Sequence, residues 1–300
     1  MVVTVGDLPT QNAGTGAALV RAVRPRQWVK NLLVVAAPLA AGRLTEQSVA
    51  VDTALAVLSF CCASGAVYLI NDVADVEADR LHPRKRLRPL AAGEITERTA
   101  LTASAVLAVV AVGLAALTGL PLVLLVVGYL LLQVAYAFNL KHQQVLDICV
   151  VASGFLIRAV AGGLASGLPL SEWFLLVAGF GSLFIVAGKR YSELQSLGND
   201  GGTRRTLTVY TPSYLRFIWS VAAGCTIMAY SLWAFEQQQT SGVAWHALSI
   251  APFVVGVMRY AVDVDAGRAG EPEDIIWRDR TLQVVGAVWL VLVCLGVWHA

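Results

Sequence analysis

Charged residues are scarce in this sequence. Asp, Glu, Lys and Arg make up only 14% of its 300 residues, whereas 57% are hydrophobic and the mean hydropathy is +0.67. Soluble domains carry about 25% charged residues, so the composition excludes an ordinary water-soluble globule and a disordered chain. The net charge of +2 also excludes a strongly basic nucleic-acid-binding protein. What remains is a protein that crosses a membrane several times.

Cysteine and histidine are also few, and neither forms a recognisable site. The five cysteines lie in apolar stretches without metal-ligand spacing or an extracellular disulfide framework, which indicates small buried side chains. Three of the 4 histidines stand alone at the ends of apolar runs, and we predict no catalytic role for them. Residues 1–20 lack the basic start and apolar core of a secretory signal. We therefore expect residues 1–23 to form a polar cytoplasmic segment before the first spanning helix.

Nine apolar runs approach the roughly 17–25 residues that a transmembrane helix needs. They lie near residues 28–42, 51–70, 101–118, 121–138, 147–165, 171–188, 213–233, 245–262 and 281–298. The first run is short and is interrupted by Pro38, which cannot donate a helical hydrogen bond. The sequence therefore predicts an all-α integral membrane protein, with residues 1–300 in a single bundle of about nine transmembrane helices.

The distribution of basic residues predicts how this bundle is oriented. Cytoplasmic loops of membrane proteins carry an excess of Lys and Arg. With the N-terminus inside, 20 of the 22 basic residues fall on the cytoplasmic side, Arg43 falls outside and Arg158 lies deep within a span. A missed span would scramble so strong an asymmetry. We expect a plasma-membrane protein whose N-terminus and charged loops face the cytoplasm.

Acidic side chains gather directly after the second apolar run. At 100° per residue, Asn71, Asp72, Asp75 and Asp79 share one stripe of a helix, within about 100° of arc. Three carboxylates so close repel one another unless a cation lies between them. Oxygen ligands suit Mg²⁺, which commonly completes its shell with substrate phosphates. The stripe therefore favours a Mg²⁺–diphosphate site; the alternative is a solvated helix end whose acids pair with nearby arginines.

A basic loop with proline and glycine follows these acids, at residues 82–93. A Mg²⁺-bound diphosphate still carries negative charge, and charge-assisted contacts from Lys85 and Arg88 would hold it. The alternative is a loop that only sets the topology and attracts anionic lipid.

The acid stripe and the basic loop together resemble the first signature of the UbiA-type intramembrane prenyltransferases. The matching positions are Asn71, Asp72, Asp75, Asp79, His82, Pro83, Lys85, Arg88, Pro89, Leu90 and Gly93. The resemblance implies a bundle of nine spans around a central cavity that is open to the bilayer. It also implies that Asp72, Asp75 and Asp79 serve catalysis by binding Mg²⁺ and, through it, a diphosphate on the cytoplasmic side.

A second family element lies at the end of the fourth run. Tyr136 and Lys141 match a Tyr-x-x-x-x-Lys pattern, and the resemblance implies that this lysine points towards the diphosphate. The alternative is a lysine that only marks an inside loop.

The sequence departs from the family after the sixth run. The family's second signature usually offers two or more aspartates for another Mg²⁺, but here Lys189, Arg190 and Tyr191 precede a single carboxylate, Glu193. With the motif at residues 24–31, this variant resembles the decaprenyl-phosphate phosphoribosyltransferase branch. That resemblance implies that the three residues at 189–191 contact the 5-phosphate of phosphoribosyl diphosphate (PRPP). The alternative is an ordinary i,i+4 pair between Lys189 and Glu193.

Two further groups are candidate substrate ligands. Arg158 lies roughly 16 Å into a span, where an ionisable residue faces the bundle interior or a watery cavity. We expect it to bind the lipid phosphate or a substrate oxygen; the competing interpretation is a structural pair with Asp147. Arg26, Lys30 and Asn31 stand at the inside end of the first run, as substrate ligands or as a topological cap.

The branch implies a specific reaction. A 5-phosphoribosyl group passes from PRPP to polyprenyl phosphate and diphosphate is released, a step towards the arabinose donor of cell-wall arabinan. One rival is a prenyl diphosphate donor with an aromatic or haem acceptor, which needs the missing second acidic motif. The other is an ion-coupled transporter. The polar loop at residues 263–280 is either solvated or a subunit contact in a homo-oligomer.

Overall fold

The computed structural model describes residues 14–196, 210–270, 275 and 278–299. Its α-helices are α1 (Thr15–Ala22), α2 (Ala36–Ala40), α3 (Gln47–Ala74), α4 (Val76–Leu81), α5 (Glu97–Ala116), α6 (Leu120–Phe138), α7 (Leu146–Ala165), α8 (Glu172–Ser196), α9 (Pro212–Ser241), α10 (Trp245–Leu248), α11 (Ile250–Asp265) and α12 (Arg280–His299). Three 3₁₀ helices lie between them, at Pro25–Val35, Lys85–Leu87 and Leu140–His142. These ranges contain no strand, so the predicted all-α fold is confirmed.

Eight helices in the described ranges are long and apolar enough to cross a membrane, and they correspond to the last eight predicted runs. The first predicted run differs: a 3₁₀ helix over Pro25–Val35 continues into α2. Pro38 lies in the first turn of α2, where its missing N–H costs no hydrogen bond. The interruption expected at this proline therefore takes the form of a change in helix type.

The segment predicted as a polar N-terminal tail is described from residue 14 onwards. There it forms α1, and Ala18 and Ala22 are buried in a cluster with Leu69 of α3 and Val76 of α4. Residues 1–13 of that tail, and residues 271–274 and 276–277 of the polar loop near the C-terminus, lie outside the described residues.

The 3₁₀ helix Pro25–Val35 lies very close to α7. A Cβ atom added to Gly162 would come within 1.9 Å of the carbonyl oxygen of Val34 and 3.0 Å of Cδ of Pro38. Small residues permit such close approach between helices in a membrane. Because Asn31 and Val34 are buried on this side, the segment presses its polar Asn31 into the interior of the bundle.

α3 lies at the centre of the bundle. In its most apolar stretch 61% of the residues are buried, compared with 11% in α12. Phe60 of α3, Tyr129 of α6 and Ala161 of α7 meet in the core. The outer surfaces expose large apolar side chains such as Leu124 and Met228. Apolar surface of this extent suits a bilayer and not water.

One end of the bundle gathers the charged side chains, and we call it the charged end. α3 and α8 end here, and α7 begins here. Lys141, between α6 and α7, reaches Asp75 just beyond α3. Arg190, near the end of α8, lies beside Asp147 in the first turn of α7. The topology thus brings four separate parts of the sequence to one place.

Candidate active site

The acidic segment at the charged end is bent. α3 ends at Ala74, and α4 begins beyond Asp75, whose backbone (φ −107°, ψ 5°) is not helical. The prediction of one continuous helical stripe from Asn71 to Asp79 is therefore wrong. The bend leaves Asp72 and Asp79 buried, at 2% exposure each, whereas the side chain of Asp75 is 37% exposed. Only two of the three carboxylates face the interior.

Arg88 joins the two buried aspartates. Its Nη1 atom lies 3.3 Å from Oδ1 of Asp72 and 2.5 Å from Oδ2 of Asp79. Nζ of Lys85 lies 4.0 Å from Oδ1 of Asp79. The basic loop at residues 82–93 thus folds back over the acids, and the pairing of acids with nearby arginines, considered above as the alternative, is present in the structure. Both cations predicted for the diphosphate lie at the acid pair.

Arg24 also belongs to this cluster, although sequence reasoning did not select it. Its guanidinium donates to Oδ1 of Asp72 and lies 5.1 Å from the ring centre of Tyr68. Its backbone is left-handed (φ 54°, ψ 61°), which is uncommon for a residue other than glycine. The one local signal is the proline that follows, since the residue before a proline is disfavoured in the right-handed helical region.

Lys141 reaches the outermost aspartate. It lies in the 3₁₀ helix Leu140–His142, and its Nζ is 2.5 Å from Oδ1 of Asp75. The structure therefore brings this lysine to the acid cluster from a distant part of the sequence. A diphosphate bound at the acids would meet three sources of positive charge besides Arg24: Lys85, Arg88 and Lys141.

The acid pair fits a divalent cation that is completed by substrate. Oδ2 of Asp72 is buried and has no hydrogen-bond partner. Mg²⁺ prefers such oxygen ligands and usually binds through one or two carboxylates together with substrate phosphates. No three acidic, histidine or cysteine side chains of the described residues converge into a metal cage. Asp72 and Asp79 therefore fit a cation that a phosphate helps to hold.

His82 shapes the turn that carries the basic loop. Its Nδ1 accepts hydrogen bonds from the backbone N–H groups of Arg84 (3.2 Å) and Lys85 (3.3 Å). Burial, and then the charge of Lys85, hold the pKa of His82 below its ordinary value of 6.5. The imidazole is therefore neutral at pH 7 and accepts these two bonds. Its role is to shape the loop that presents Lys85 and Arg88.

Arg158 bonds Ser64 of α3, about two helical turns before Asp72, and is 7% exposed. Its guanidinium donates to Oδ1 of Asn31 (2.7 Å), Oγ of Ser64 (2.9 Å) and the hydroxyl of Tyr129 (3.0 Å). A fourth bond reaches the carbonyl of Gly154 at 2.6 Å. All four acceptors are neutral, and no carboxylate of the described residues forms an ion pair with Arg158. The structural pair with Asp147, given above as the competing interpretation, is therefore absent.

The location of Asn31 differs from that of its neighbours in the N-terminal motif. Asn31 is buried at 1% exposure and belongs to the Arg158 group. Arg26 is exposed at the start of the 3₁₀ helix, and Lys30 is half-buried. The structure therefore divides these three candidates: Asn31 lines the interior, whereas Arg26 and Lys30 stay towards the surface. Asn71 is half-buried, one residue before Asp72.

The three residues at 189–191 do not converge on one point, because consecutive residues of a helix point about 100° apart. Arg190 is 3% exposed, and it donates to Glu193 at 2.9 Å and lies 3.3 Å from Oδ2 of Asp147. The hydroxyl of the buried Tyr191 accepts from Arg216 at 2.5 Å. Lys189 is half-buried and lies 4.0 Å from Glu193. Of the three, Lys189 keeps most access to solvent.

Comparison with known proteins places these observations in a family. The profile of the UbiA prenyltransferase family matches residues 32–269. The chain belongs to this family. In fold it is similar to a UbiA homologue from Archaeoglobus fulgidus bound to DMAPP and Mg²⁺, with a TM-score of 0.73 at 17% sequence identity over 94% of this chain and 100% of that one.

Within the family, curated relatives are more similar in sequence. The decaprenyl-phosphate phosphoribosyltransferase of Mycobacterium tuberculosis is 51% identical over 293 residues, covering 96% of this chain and 97% of the relative. The protein of the same name from Corynebacterium glutamicum is 44% identical, covering 97% of this chain and 89% of the relative. These relatives favour the phosphoribosyltransferase interpretation over an aromatic prenyltransferase or an ion-coupled transporter.

Proposed function

We propose that this protein transfers the 5-phosphoribosyl group of PRPP to polyprenyl phosphate and releases diphosphate. The observation that carries the proposal is the buried pair Asp72 and Asp79, surrounded by Arg24, Arg88 and, through Asp75, Lys141. Such a site suits a diphosphate leaving group bound with a divalent cation. The near full-length relatives named above support the choice of substrates.

The acid pair and its cations act on the leaving group. Asp72 and Asp79 would hold Mg²⁺, which supplies positive charge against the diphosphate when bound. Arg88 and Lys85, which contact the acid pair, would bind the same diphosphate, and their fixed charges would stabilise it as the bond to ribose C1 breaks. The bonding electrons leave with the diphosphate oxygen. Asp75, the most exposed of the three acids, is available to the ribose hydroxyls.

The acceptor needs little activation. A lipid phosphate is already ionised at pH 7, so one of its oxygens attacks C1 without a general base. Arg158 is a buried cation whose hydrogen-bond acceptors are all neutral, and it contacts α3 about two helical turns before Asp72. We assign the acceptor phosphate to this guanidinium and to Asn31. Positioning of the two substrates then supplies most of the catalysis.

The 5-phosphate of the donor lies at the far end of the ribose and carries its own charge. Lys189, the half-buried member of the 189–191 group, is the candidate partner, with Arg190 and Tyr191 packed beside it. Lys30 and Arg26 add positive charge at the same end. Replacing Lys189 with Ala is expected to raise the KM for PRPP, and an unchanged KM would remove Lys189 from this role.

We also propose that the enzyme lies in the plasma membrane and that its charged end faces the cytoplasm. This is the compartment in which a soluble donor such as PRPP is expected. The deciding experiment incubates purified protein with labelled PRPP, Mg²⁺ and polyprenyl phosphate, and separately with a prenyl diphosphate and an aromatic acceptor. Label in the lipid fraction in the first reaction alone is the expected result. Transfer in the second reaction alone would replace the proposal by prenyl transfer.

A further inference from the structure

The turn that precedes α7 is strained. Val145 has φ 65° and ψ −48°, and the N–H of Leu146 donates to the carbonyl of Gln144 at 2.7 Å. This is a γ-turn with positive φ at its centre, a form that is rare and strained. A β-branched residue at positive φ is a genuine outlier. Such strain persists only where the surrounding structure holds it, and it concentrates at functional sites.

One hydroxyl group bonds both the turn and the first turn of α7. The N–H of Val145 donates to the hydroxyl of Tyr210 at 2.7 Å, and that hydroxyl donates to Oδ1 of Asp147 at 2.5 Å. Tyr210 is 6% exposed and Asp147 is 1% exposed, so both bonds are shielded from water. Burial, and then the hydrogen bond to Asp147, raise the pKa of Tyr210 above its ordinary range. The hydroxyl therefore keeps its proton and donates it.

Two other helices fix this hydroxyl and its acceptor. The ring of Tyr210 stacks on Tyr214 in the first turn of α9, with ring centres 5.7 Å apart and an angle of 4°. Oδ2 of Asp147 lies 3.3 Å from Nε of Arg190 in α8. The strained turn is thus anchored to Arg190 of α8 and Tyr214 of α9, which lie more than forty residues further along the sequence.

The turn lies four residues beyond Lys141. The N–H of His142 donates to the carbonyl of Asn139 and the N–H of Gln143 donates to the carbonyl of Leu140, both at 3.1 Å, so backbone hydrogen bonds connect Lys141 to the turn. We propose that Tyr210 is a positioning residue, whose hydroxyl holds the strained Val145 turn and thereby sets Lys141 beside Asp75. The consequence for the donor diphosphate rests on the proposed function; the placement of Lys141 does not.

The first test measures the placement without any substrate. Lys141 is acylated with an amine-reactive ester, and its modification rate is read by peptide mass spectrometry, with Lys30 of the same molecule as the internal reference. Tyr210→Phe is expected to raise the rate at Lys141 several-fold and to leave the rate at Lys30 unchanged. Tyr214→Phe is the matched control, since its ring stacks on Tyr210 but the network uses only the Tyr210 hydroxyl.

The second test asks whether the effect passes through the strained turn. Glycine adopts positive φ without a steric penalty, so adding Val145→Gly to Tyr210→Phe is expected to return the acylation rate of Lys141 towards that of the wild type. A role of Tyr210 in general stability predicts no such rescue. If Tyr210→Phe does not accumulate, Asp147→Asn, which weakens the acceptor of the same hydroxyl, provides the same comparison.

The third test connects placement to catalysis. Tyr210→Phe is expected to lower kcat/KM for PRPP roughly tenfold, the scale of one lost hydrogen bond, with the KM for polyprenyl phosphate unchanged. In a Lys141→Met background the same substitution should have no further effect, because both act through one contact. Independent, multiplying effects would overturn the inference.

The two proposals fail in different ways. A wild-type protein that does not use PRPP would overturn the proposed function, yet the acylation result would still show whether Tyr210 places Lys141. Conversely, an unchanged acylation rate in Tyr210→Phe would overturn the positioning role even in a fully active enzyme.

Discussion

Asp72 is the single residue on which the metal hypothesis depends most. It shares Arg88 with Asp79, receives a hydrogen bond from Arg24, and still has a buried oxygen without a partner. Asp72→Asn keeps the shape of the side chain and removes its charge. We expect kcat to fall by roughly 100-fold or more, the scale of losing one preorganised electrostatic partner, together with a higher Mg²⁺ requirement.

Initial rates across a series of Mg²⁺ concentrations test this expectation. Glu77→Gln is the matched control, because Glu77 is 81% exposed and pairs with Arg80 at the surface of α4. It should behave like the wild type. Equal rates for the two variants would exclude Asp72 from the metal site.

Arg158 is the residue that we expect to bind the phosphate of the acceptor lipid. A lysine keeps the charge but loses the planar fork that bonds Asn31, Ser64 and Tyr129 at once. Arg158→Lys is expected to raise the KM for polyprenyl phosphate roughly tenfold, as expected from the loss of one charge-assisted hydrogen bond, without changing the KM for PRPP. Arg43→Lys, at the opposite end of the bundle, is the control. A rise confined to PRPP would assign Arg158 to the donor.

His82 makes the loop sensitive to acid. Because its folded-state pKa lies below the unfolded value of 6.5, the unfolded chain binds the proton more readily and protonation opposes folding. The contribution of His82 is fully present above about pH 6.5 and is lost as pH falls through the lower folded pKa. His82→Asn keeps an acceptor that does not titrate, so its thermal unfolding midpoint should fall less between pH 7.5 and 5.5. Parallel midpoints for both proteins would contradict this role.

Part of the site follows from local sequence and part does not. Asp72, Asp79, Lys85 and Arg88 lie within one short segment, so helical geometry and loop composition indicate that they meet. Tyr210 contacts Asp147 from 63 residues away, and no local period encodes such a pair. Contacts of this kind depend on how whole helices pack, which a single sequence does not specify.

The lengths of the apolar runs predicted the spanning helices well. A segment inside the lipid must be apolar and must satisfy its backbone hydrogen bonds within a helix. The kind of helix was harder to predict. The 3₁₀ form of Pro25–Val35 and the bend at Asp75 depend on which hydrogen bonds close around Pro38 and the acid cluster. Hydrophobicity alone contains no information on either feature.

The contact between α7 and the 3₁₀ helix can be tested at Gly162. An added methyl group would lie 1.9 Å from the carbonyl oxygen of Val34, so the backbone of the 3₁₀ helix must move. Gly162→Ala is expected to lower stability by about 1–3 kcal/mol, as overpacking does. The readout is the thermal unfolding midpoint in detergent. Because no atom would lie within 4 Å of the added methyl group, Gly113→Ala in α5 is the control and should be neutral or stabilising.

The fold of the whole molecule is shared with a protein of low sequence identity. The A. fulgidus homologue has the same architecture at 17% identity, so the pattern of apolar spans tolerates replacement of most side chains. Because a fold of this kind does not by itself determine function, we expect the residues at the charged end to determine it. Lys189 and Arg190, described above as a departure from the family's second acidic signature, are the first such residues to test.

The distribution of charges predicts how the whole molecule is oriented in the membrane. With 20 basic residues assigned to one side and one to the other, the positive-inside rule predicts that the charged end faces the cytoplasm. Thr45 and Arg84 are exposed at opposite ends of the bundle. A membrane-impermeant thiol reagent applied to intact cells should label Thr45→Cys at once and Arg84→Cys only after permeabilisation, with the wild type measuring the background from native cysteines. The reverse pattern would place the acid pair outside, where a soluble cytoplasmic donor cannot reach it, and would contradict both the orientation and the proposed substrate.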